Sequence, residues 1–297
     1  MTKAPALSRS ALSTPWAFFV VVLGWSWFFW LLAVLLGLSI NTVSGKVLGL
    51  LGLLGPALGG IGFTYLAQGG EGSREYWVRM IDPKRIPAKW YLVIFLFVPV
   101  LMAVAAALDI FSGESAATFE KGFAPFLSKP FAIIPLAFST FFIGPLPEEL
   151  GWRGYALDRL LARSDALVSS LILGAVWALW HFPLFLIRDT YQYNLGVWSP
   201  SFWLFMIGII PVSVIFTWIF NNCRRSTLAA ILFHFMVVFT DVFLNVTIRT
   251  DVYSTLLWII AAIIVTITWG GRTLTGRGAF RAERSEHGIP RGNGTPG

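Results

Sequence analysis

Long apolar runs separated by short polar segments extend along most of the chain. A run of about 20 apolar residues is long enough to cross the hydrocarbon core of a bilayer as a helix. On that criterion the fold class is all-α, a polytopic membrane protein with about eight transmembrane helices in a single domain, residues 1–270. The fourth helix needs the polar stretch that follows it to reach spanning length. The eight predicted spans are Trp16–Ile40, Val47–Ala67, Trp90–Leu108, Phe131–Leu146, Ala166–Ile187, Phe202–Phe220, Leu228–Thr247 and Val252–Trp269.

The positively charged residues alternate in step with these eight helices. With the amino terminus placed in the cytoplasm, the segments on that side hold 17 of the 22 Lys and Arg residues, and the segments on the other side hold 5. Lys and Arg of membrane proteins concentrate in cytoplasmic loops. The sequence therefore predicts that both termini are cytoplasmic and that the protein is integral to a bacterial or archaeal plasma membrane.

Composition supports a membrane protein and narrows the classes of partner. Charged residues make up 12% of the chain, whereas a soluble domain carries about 25%. The net charge of +7 would suit nucleic acid. The basic residues lie between apolar runs, however, so the expected surroundings are the lipid bilayer, with no nucleic acid. The single cysteine, Cys223, excludes a disulfide within these 297 residues and a cysteine-based zinc site.

Two polar or small-residue segments have no obvious place in the apolar pattern. Residues 271–297 contain Gly, Arg and Pro without apolar periodicity, which predicts a disordered cytoplasmic tail. The polar segment 69–89 carries Tyr76, Trp77, Met80 and Ile81, which predicts a helix lying in the membrane interface.

Glycines recur along the second predicted helix, and Gly55 and Gly59 form a GxxxG step. Small residues allow membrane helices to approach each other closely. Two interpretations follow: a seam between two copies of the chain, or tight packing inside one bundle. The second is the commoner use of such residues, and we favour it. The five glycines are Gly49, Gly52, Gly55, Gly59 and Gly62.

A small set of ionisable residues lies at or inside the apolar runs. Burying an ionisable group in a membrane is costly, so each one is a candidate for function. Glu149 and Arg153 are four residues apart, on one helix face, and are expected to pair. Glu148 then lacks that partner, which suits a general base. The full set is Asp109, Glu148, Glu149, Arg153, His181, His234 and Asp241; for Asp109, at a helix end, we expect a structural hydrogen bond.

Both membrane histidines follow the carboxylates in the chain. His181 comes one turn after Trp177, which is expected to support the imidazole, and just before Pro183, where the helix is expected to kink. His234 shares a helix face with Asp241 and Asn245. One Glu and two His can activate water directly, or with a zinc ion held by His and carboxylate ligands. The alternative is that these polar residues only join neighbouring helices by hydrogen bonds.

The order of these residues resembles the CPBP family of intramembrane endopeptidases, which includes type II CAAX prenyl proteases and bacteriocin-processing or immunity proteins. Its first motif, Glu-Glu-x-x-x-Arg, is similar to the segment containing Glu148, Glu149 and Arg153. Its second motif, Phe-x-x-x-His, is matched at His181, but Trp177 replaces the Phe. The resemblance covers roughly residues 131–247 and implies a membrane-embedded hydrolase core there.

The third motif of that family, His-x-x-x-Asn, is only half present. His234 matches the histidine, whereas Val238 occupies the Asn position. In the family the Asn helps to stabilise the oxyanion, and a valine cannot donate a hydrogen bond. Asn245, or a protonated Asp241 on the same face, is a candidate replacement. The departure also favours an alternative role as a catalytically silent bacteriocin-immunity or scaffold protein.

The resemblance implies roles and partners for the remaining residues. Glu148 would activate water, Glu149 and Arg153 would support it, and His181 and His234 would hold the water or a zinc ion. The implied enzyme is a CPBP-type intramembrane (metallo)endopeptidase acting on a membrane-associated peptide or protein, including lipidated ones. A proton-coupled transporter using the same Glu and His is a further alternative, but the chain lacks the internal repeats typical of many transporters.

Overall fold

The computed structural model describes residues 14–113, 124–243 and 247–275. Apart from an isolated parallel bridge between Ser39 and Arg188, the regular elements of these segments are helical. The principal helices are α1 (Pro15–Leu35), α2 (Val43–Leu53), α3 (Gly55–Ile81), α4 (Ala88–Phe111), α5 (Ile133–Phe142), α6 (Pro145–Gly151), α7 (Leu157–Leu161), α8 (Ala166–His181), α9 (Tyr191–Leu195), α10 (Pro200–Asn222), α11 (Thr227–Phe243) and α12 (Ile248–Trp269).

Seven helical segments in the described part of the chain are long and apolar enough to span a membrane. Each overlaps one of the predicted spans, so the all-α, polytopic membrane fold is confirmed. The remaining predicted span, Leu228–Thr247, corresponds to α11, which is apolar but shorter, over Thr227–Asp241. The seven are Pro15–Leu35, Val43–Ala67, Ala88–Phe111, Pro130–Leu161, Ala166–Leu186, Pro200–Asn222 and Ile248–Trp269. The cytoplasmic placement of the termini stays a prediction, and residues 276–297 of the predicted tail lie outside the described segments.

The second predicted span consists of two helices, α2 and α3, and several of its glycines pack inside the bundle against α1. A Cβ added to Gly52 would lie 2.2 Å from Nε1 of Trp30, and one added to Gly55 would lie 2.2 Å from Oγ of Ser26. Neither position has room for a side chain. At Gly62, by contrast, an added Cβ would meet nothing within 4 Å. Packing inside one bundle therefore explains the glycines that are in close contact.

Helix α3 also approaches the segment that carries the two glutamates. A Cβ added to Gly60 would lie 2.2 Å from the carbonyl oxygen of Leu150, and one added to Gly151 would lie 2.5 Å from that of Pro56. The two backbones are thus in direct contact, which only glycine permits at these positions. This contact fixes the position of α6 against the bundle.

The fourth predicted span is broken into several pieces. Gly144, with φ 130° and ψ −87°, separates α5 from α6, and α6 begins at Pro145. The prolines of this segment lack an N–H group, so a continuous helix cannot hydrogen-bond through them. After α6, the segment Trp152–Ala156 is a π-helix and leads into the short α7. Glu148 consequently lies in the first turn of a new helix.

Two helical features expected outside this segment are present, although the membrane-interface position of the second stays a prediction. Helix α8 ends at His181, and a 3₁₀ helix, Phe182–Leu186, follows where a kink at Pro183 was expected. The polar segment after residue 69 is helical, as the last part of α3, although Gly69 (φ 68°) breaks the helix there. Its apolar residues divide into buried ones, including Tyr76, and exposed ones, including Ile81.

Candidate active site

Glu149 is the centre of a buried polar cluster formed by α6, the π-helix and α11. Its side chain is fully buried, and Oε1 accepts hydrogen bonds from Nη1 of Arg153 at 2.8 Å and Nδ1 of His234 at 2.9 Å. The Arg153 pair is the one that the helical spacing predicts. The guanidinium of Arg153 also lies over the rings of Phe216, at 4.0 Å, and Trp177, at 4.8 Å. Glu149 is therefore compensated by a cation and held in one orientation.

Glu148, the adjacent carboxylate, has quite different surroundings. It is 5% exposed, and Oε2 accepts a hydrogen bond from Nε1 of Trp177 at 2.6 Å. Within the described residues it makes no ion pair with Arg, Lys or His. An indole N–H donates one hydrogen bond and carries no formal charge. Of the two carboxylates, Glu148 is thus the one without a counter-charge in contact.

Trp177 connects three members of the cluster. Its indole bonds Glu148, whereas its backbone carbonyl accepts a hydrogen bond from Nδ1 of His181 at 2.8 Å. Its ring centroid lies 5.3 Å from that of His234 and 6.1 Å from that of His181. The sequence indicated support of His181 by Trp177 but not the bond to Glu148. The available signal was the replacement of the family's Phe by a residue with an N–H donor.

The hydrogen bonds of the two histidines show which ring nitrogen of each is already engaged and which can still bind water or substrate. A carbonyl oxygen only accepts, so His181 must donate from Nδ1 to the carbonyl of Trp177. Nδ1 of His234 faces a carboxylate oxygen of Glu149, which is also an acceptor. In the neutral ring of each histidine, Nε2 then carries the lone pair. One ring nitrogen of each histidine is thereby left to accept a hydrogen bond.

The chain is similar to known proteins over most of its length. A family model described as Type II CAAX prenyl endopeptidase Rce1-like matches residues 130–240. The CAAX prenyl protease 2 of Methanococcus maripaludis is 31% identical to the chain over 218 residues, which are 72% of this chain and 79% of the relative. The chain belongs to the type II CAAX prenyl endopeptidase family. Every residue of the buried cluster lies inside the matched segment, from Glu148 to His234.

Family membership and the seven apolar helices together place this endopeptidase in the membrane. It is an integral membrane protein of the intramembrane protease class, as the sequence predicts. The buried cluster is then a polar site enclosed by apolar helices, where electrostatic interactions are stronger than in water.

A zinc site in this endopeptidase would need ligands in addition to His181 and His234. Zinc in catalytic sites generally takes three protein ligands. No group of three or more His, Cys, Asp or Glu side chains converges at ligand distances in residues 14–113, 124–243 and 247–275. One oxygen of Glu149 is engaged by Arg153 and His234, and one of Glu148 by Trp177. As arranged, the described side chains do not fit a three-ligand zinc site.

Asp241, one candidate for the missing Asn function, is not among the hydrogen-bonded residues of the described cluster. Val238 is half-buried one turn beyond His234 and has no hydrogen-bond donor on its side chain. Asp241 lies two turns beyond His234 on α11, and within the described part of the chain no hydrogen bond connects it to the glutamates. Asn245 lies outside the described residues. A replacement by Asp241 or Asn245 therefore stays a prediction.

Two side chains of α3 hold backbone carbonyls of the glutamate-bearing segment. Tyr76 donates its hydroxyl to the carbonyl of Leu150 at 2.9 Å, and Nη2 of Arg79 donates to that of Arg153 at 3.1 Å. Burial raises the pKa of the Tyr76 phenol, so it stays protonated and donates. The segment that these side chains hold includes the π-helix, in which hydrogen bonds join residues five apart instead of four. The sequence placed Tyr76 in an interfacial helix and gave no indication of this role.

Proposed function

We propose that this endopeptidase hydrolyses a peptide bond of a membrane-associated protein with water that Glu148 activates as general base. The observation that supports this most directly is the unequal partnering of the two carboxylates. Glu149 contacts a guanidinium and an imidazole, whereas Glu148 contacts an indole N–H. A carboxylate whose partner is an uncharged N–H group keeps lone pairs that can accept a proton. That difference suits Glu148 to accept a proton from water.

The proposed reaction has two proton transfers. A proton passes from water to Glu148 while the water oxygen bonds to the carbonyl carbon of the substrate, and the π electrons of the carbonyl move to its oxygen. The tetrahedral intermediate then collapses, the carbon–nitrogen bond breaks, and Glu148 returns the proton to the leaving nitrogen. The products are a carboxylic acid and an amine, and Glu148 is regenerated.

The histidines would orient the reacting groups. With Nδ1 fixed by Trp177 and Glu149, Nε2 of His181 and of His234 are available to bind water or the substrate oxygen. Glu149 would act as the anchor that fixes the imidazole of His234. Arg153 would balance the charge of that anchor. Group orientation of this kind contributes to rate by lowering the entropy cost of reaching the transition state.

The proposed substrate class is a lipidated protein carboxyl terminus, specifically a prenylated segment of the Cys-a-a-X type. The relative from Methanococcus maripaludis is named a CAAX prenyl protease, and we extend that substrate class to this chain. A prenyl group partitions into the bilayer, which would bring the scissile bond close to an intramembrane site.

A cleavage assay tests this function. The purified full-length protein is incubated with a farnesylated Cys-a-a-X peptide and with the same peptide lacking the farnesyl group. We expect release of the last three residues from the farnesylated peptide only, and no release with Glu148→Gln. Cleavage by Glu148→Gln at the wild-type rate would exclude Glu148 as the base.

Val238 favours a second candidate function, a family member that binds but does not hydrolyse. The relevant variant is Val238→Asn, which restores the family's third motif. If the chain is a hydrolase with a weakened oxyanion site, the variant should raise kcat, by up to about 10²-fold, the magnitude associated with one oxyanion donor. If neither wild type nor Val238→Asn cleaves a peptide that both bind, the silent alternative is correct.

Zinc assistance through His181 and His234 is tested separately. Metal content and activity are measured after treatment with a chelator. Full activity without zinc supports direct activation of water by the Glu–His cluster. Loss of activity that added zinc restores would instead assign a metal-assisted mechanism to the same residues.

A further inference from the structure

A polar cavity, separate from the glutamate cluster, opens at one end of the bundle. Its volume is about 460 Å³. It lies where the last turns of α3, the helix α7 and the turn between α10 and α11 meet. The proposed hydrolysis uses none of its lining residues. They are Glu75, Arg79, Asp158, Arg159, Ala162, Arg163 and Arg225.

The lining carries four guanidinium groups against two carboxylates. Asp158 pairs with both Arg79 and Arg225. Glu75 pairs with Arg85, which lies outside the lining, at 2.7 Å. Both acidic groups are thus compensated within the protein. The cavity consequently has an excess of positive charge.

Two of the arginines keep donors for a ligand. Arg163 is exposed, and it donates Nη1 to the carbonyl of Arg159 at 3.0 Å. The side chain of Arg225 is 55% exposed and directs Nε and Nη2 to Asp158. A guanidinium has five N–H groups in a rigid fork. By the contacts of the described residues, each fork still has N–H groups without a hydrogen-bond partner.

The cavity lies where a lipid headgroup would be expected. Next to its α3 residues, Trp77 is 36% exposed and donates Nε1 to the hydroxyl of Tyr65 at 3.0 Å. Trp and Tyr concentrate at the level of the headgroups in membrane proteins. The positive-inside rule requires only that arginines lie in cytoplasmic loops. The four arginines of this lining in addition surround one cavity. Planar guanidinium forks match the oxygens of a phosphate group.

We propose that this cavity binds the phosphate group of an anionic ligand, through Arg163 and Arg225. The membrane position makes the headgroup of an anionic phospholipid the source we expect, and free phosphate is the other source of the same chemistry. Basic pockets between transmembrane helices are a known mode of headgroup recognition.

The test measures binding rather than activity. Full-length protein in neutral detergent is titrated with phosphatidylglycerol, with net-neutral phosphatidylcholine and with inorganic phosphate, and bound ligand is counted by native mass spectrometry. The double variant Arg163→Gln/Arg225→Gln should bind phosphatidylglycerol about 30-fold more weakly than wild type, from about 1 kcal/mol for each charge. Phosphatidylcholine binding should not change.

A matched control removes two charges from the same end of the bundle outside the cavity. The backbone of Lys84 contacts Arg224 next to the cavity, and that of Arg272 bonds Ala166 at the start of α8. The double variant Lys84→Gln/Arg272→Gln should keep the wild-type affinity. The proposal would be overturned if both double variants lost the same affinity for phosphatidylglycerol, or if the cavity variant lost none.

The source of the phosphate is decided in the same titration. Competition by inorganic phosphate at equal effectiveness would assign the site to free phosphate, and its failure to compete would assign the lipid headgroup. If the double variant does not fold, Arg163→Glu alone is used, because this side chain is exposed. Unchanged phosphatidylglycerol binding by that variant would also overturn the proposal.

Discussion

Two buried carboxylates of this protein, Asp109 and Glu148, have opposite surroundings. Asp109 lies in the last turns of α4 and is fully buried. Its Oδ2 accepts hydrogen bonds from Thr247 at 2.5 Å and Thr250 at 2.7 Å, and Oδ1 pairs with Nε of Arg249 at 3.0 Å. Glu148 accepts a hydrogen bond from the indole of Trp177. Asp109 thus lies against a cation, whereas Glu148 makes no ion pair within the described residues.

This difference distinguishes a carboxylate that stabilises helix packing from one that can take part in a reaction. A buried carboxylate that has hydrogen bonds and a counter-charge holds one helix against another, here α4 against the start of α12. A buried carboxylate with spare acceptor capacity and no counter-charge can bind and release a proton. The number and charge of its partners, rather than burial itself, therefore indicate which carboxylate does chemistry.

The largest stability effect is expected at Arg153, the counter-charge of Glu149. Arg153→Leu leaves a carboxylate buried without its cation, which costs about 3–5 kcal/mol. Chemical unfolding in detergent should show this loss, and thermal unfolding should show a lower Tm. The matched control is Arg163→Leu, which removes an exposed arginine from the same region. Equal stability of the two variants would show that Glu149 does not depend on Arg153.

A smaller effect, on rate rather than on folding, is expected at Trp177. Trp177→Phe restores the family's residue but removes the hydrogen bond that orients Glu148. Hydrogen bonds to charged groups contribute about 1.5–3 kcal/mol. If this free energy is lost from the transition state, kcat should fall by at least about tenfold. Steady-state cleavage kinetics measure the change. Trp30→Phe, which removes an indole bond to the carbonyl of Gly49, should keep the wild-type kcat. An unchanged kcat in Trp177→Phe would mean that Glu148 is positioned without this bond.

The smallest effect is expected at Tyr76, which bonds the carbonyl of Leu150 behind the glutamates. Tyr76→Phe keeps the ring and removes one hydrogen bond between neutral groups, worth about 1 kcal/mol. Unfolding free energy should fall by that amount. A larger fall in kcat than in stability would indicate that the π-helix register depends on Tyr76.

Features that depend on the spacing of nearby residues could be predicted from the sequence. Apolar run length predicts the spans, and the four-residue spacing predicts the pair of Glu149 with Arg153. The cluster itself depends on contacts distant in the chain. Glu149 and His234 are 85 residues apart, and Glu148 and Trp177 are 29 apart. Spacing cannot tell which carboxylate meets which ring, because helix rotation and depth are set by packing, including the contact of α3 with α6.

The most direct measurement of the central claim compares Glu148→Gln with Asp109→Asn in parallel. Each replaces a buried carboxylate with an amide of nearly the same shape. Glu148→Gln should lower kcat by about 10²–10⁴-fold, the range for general-base catalysis, with unfolding unchanged. Asp109→Asn should keep kcat and lose about 1–3 kcal/mol of unfolding free energy. Wild-type cleavage by Glu148→Gln, or loss of kcat in folded Asp109→Asn, would contradict the account.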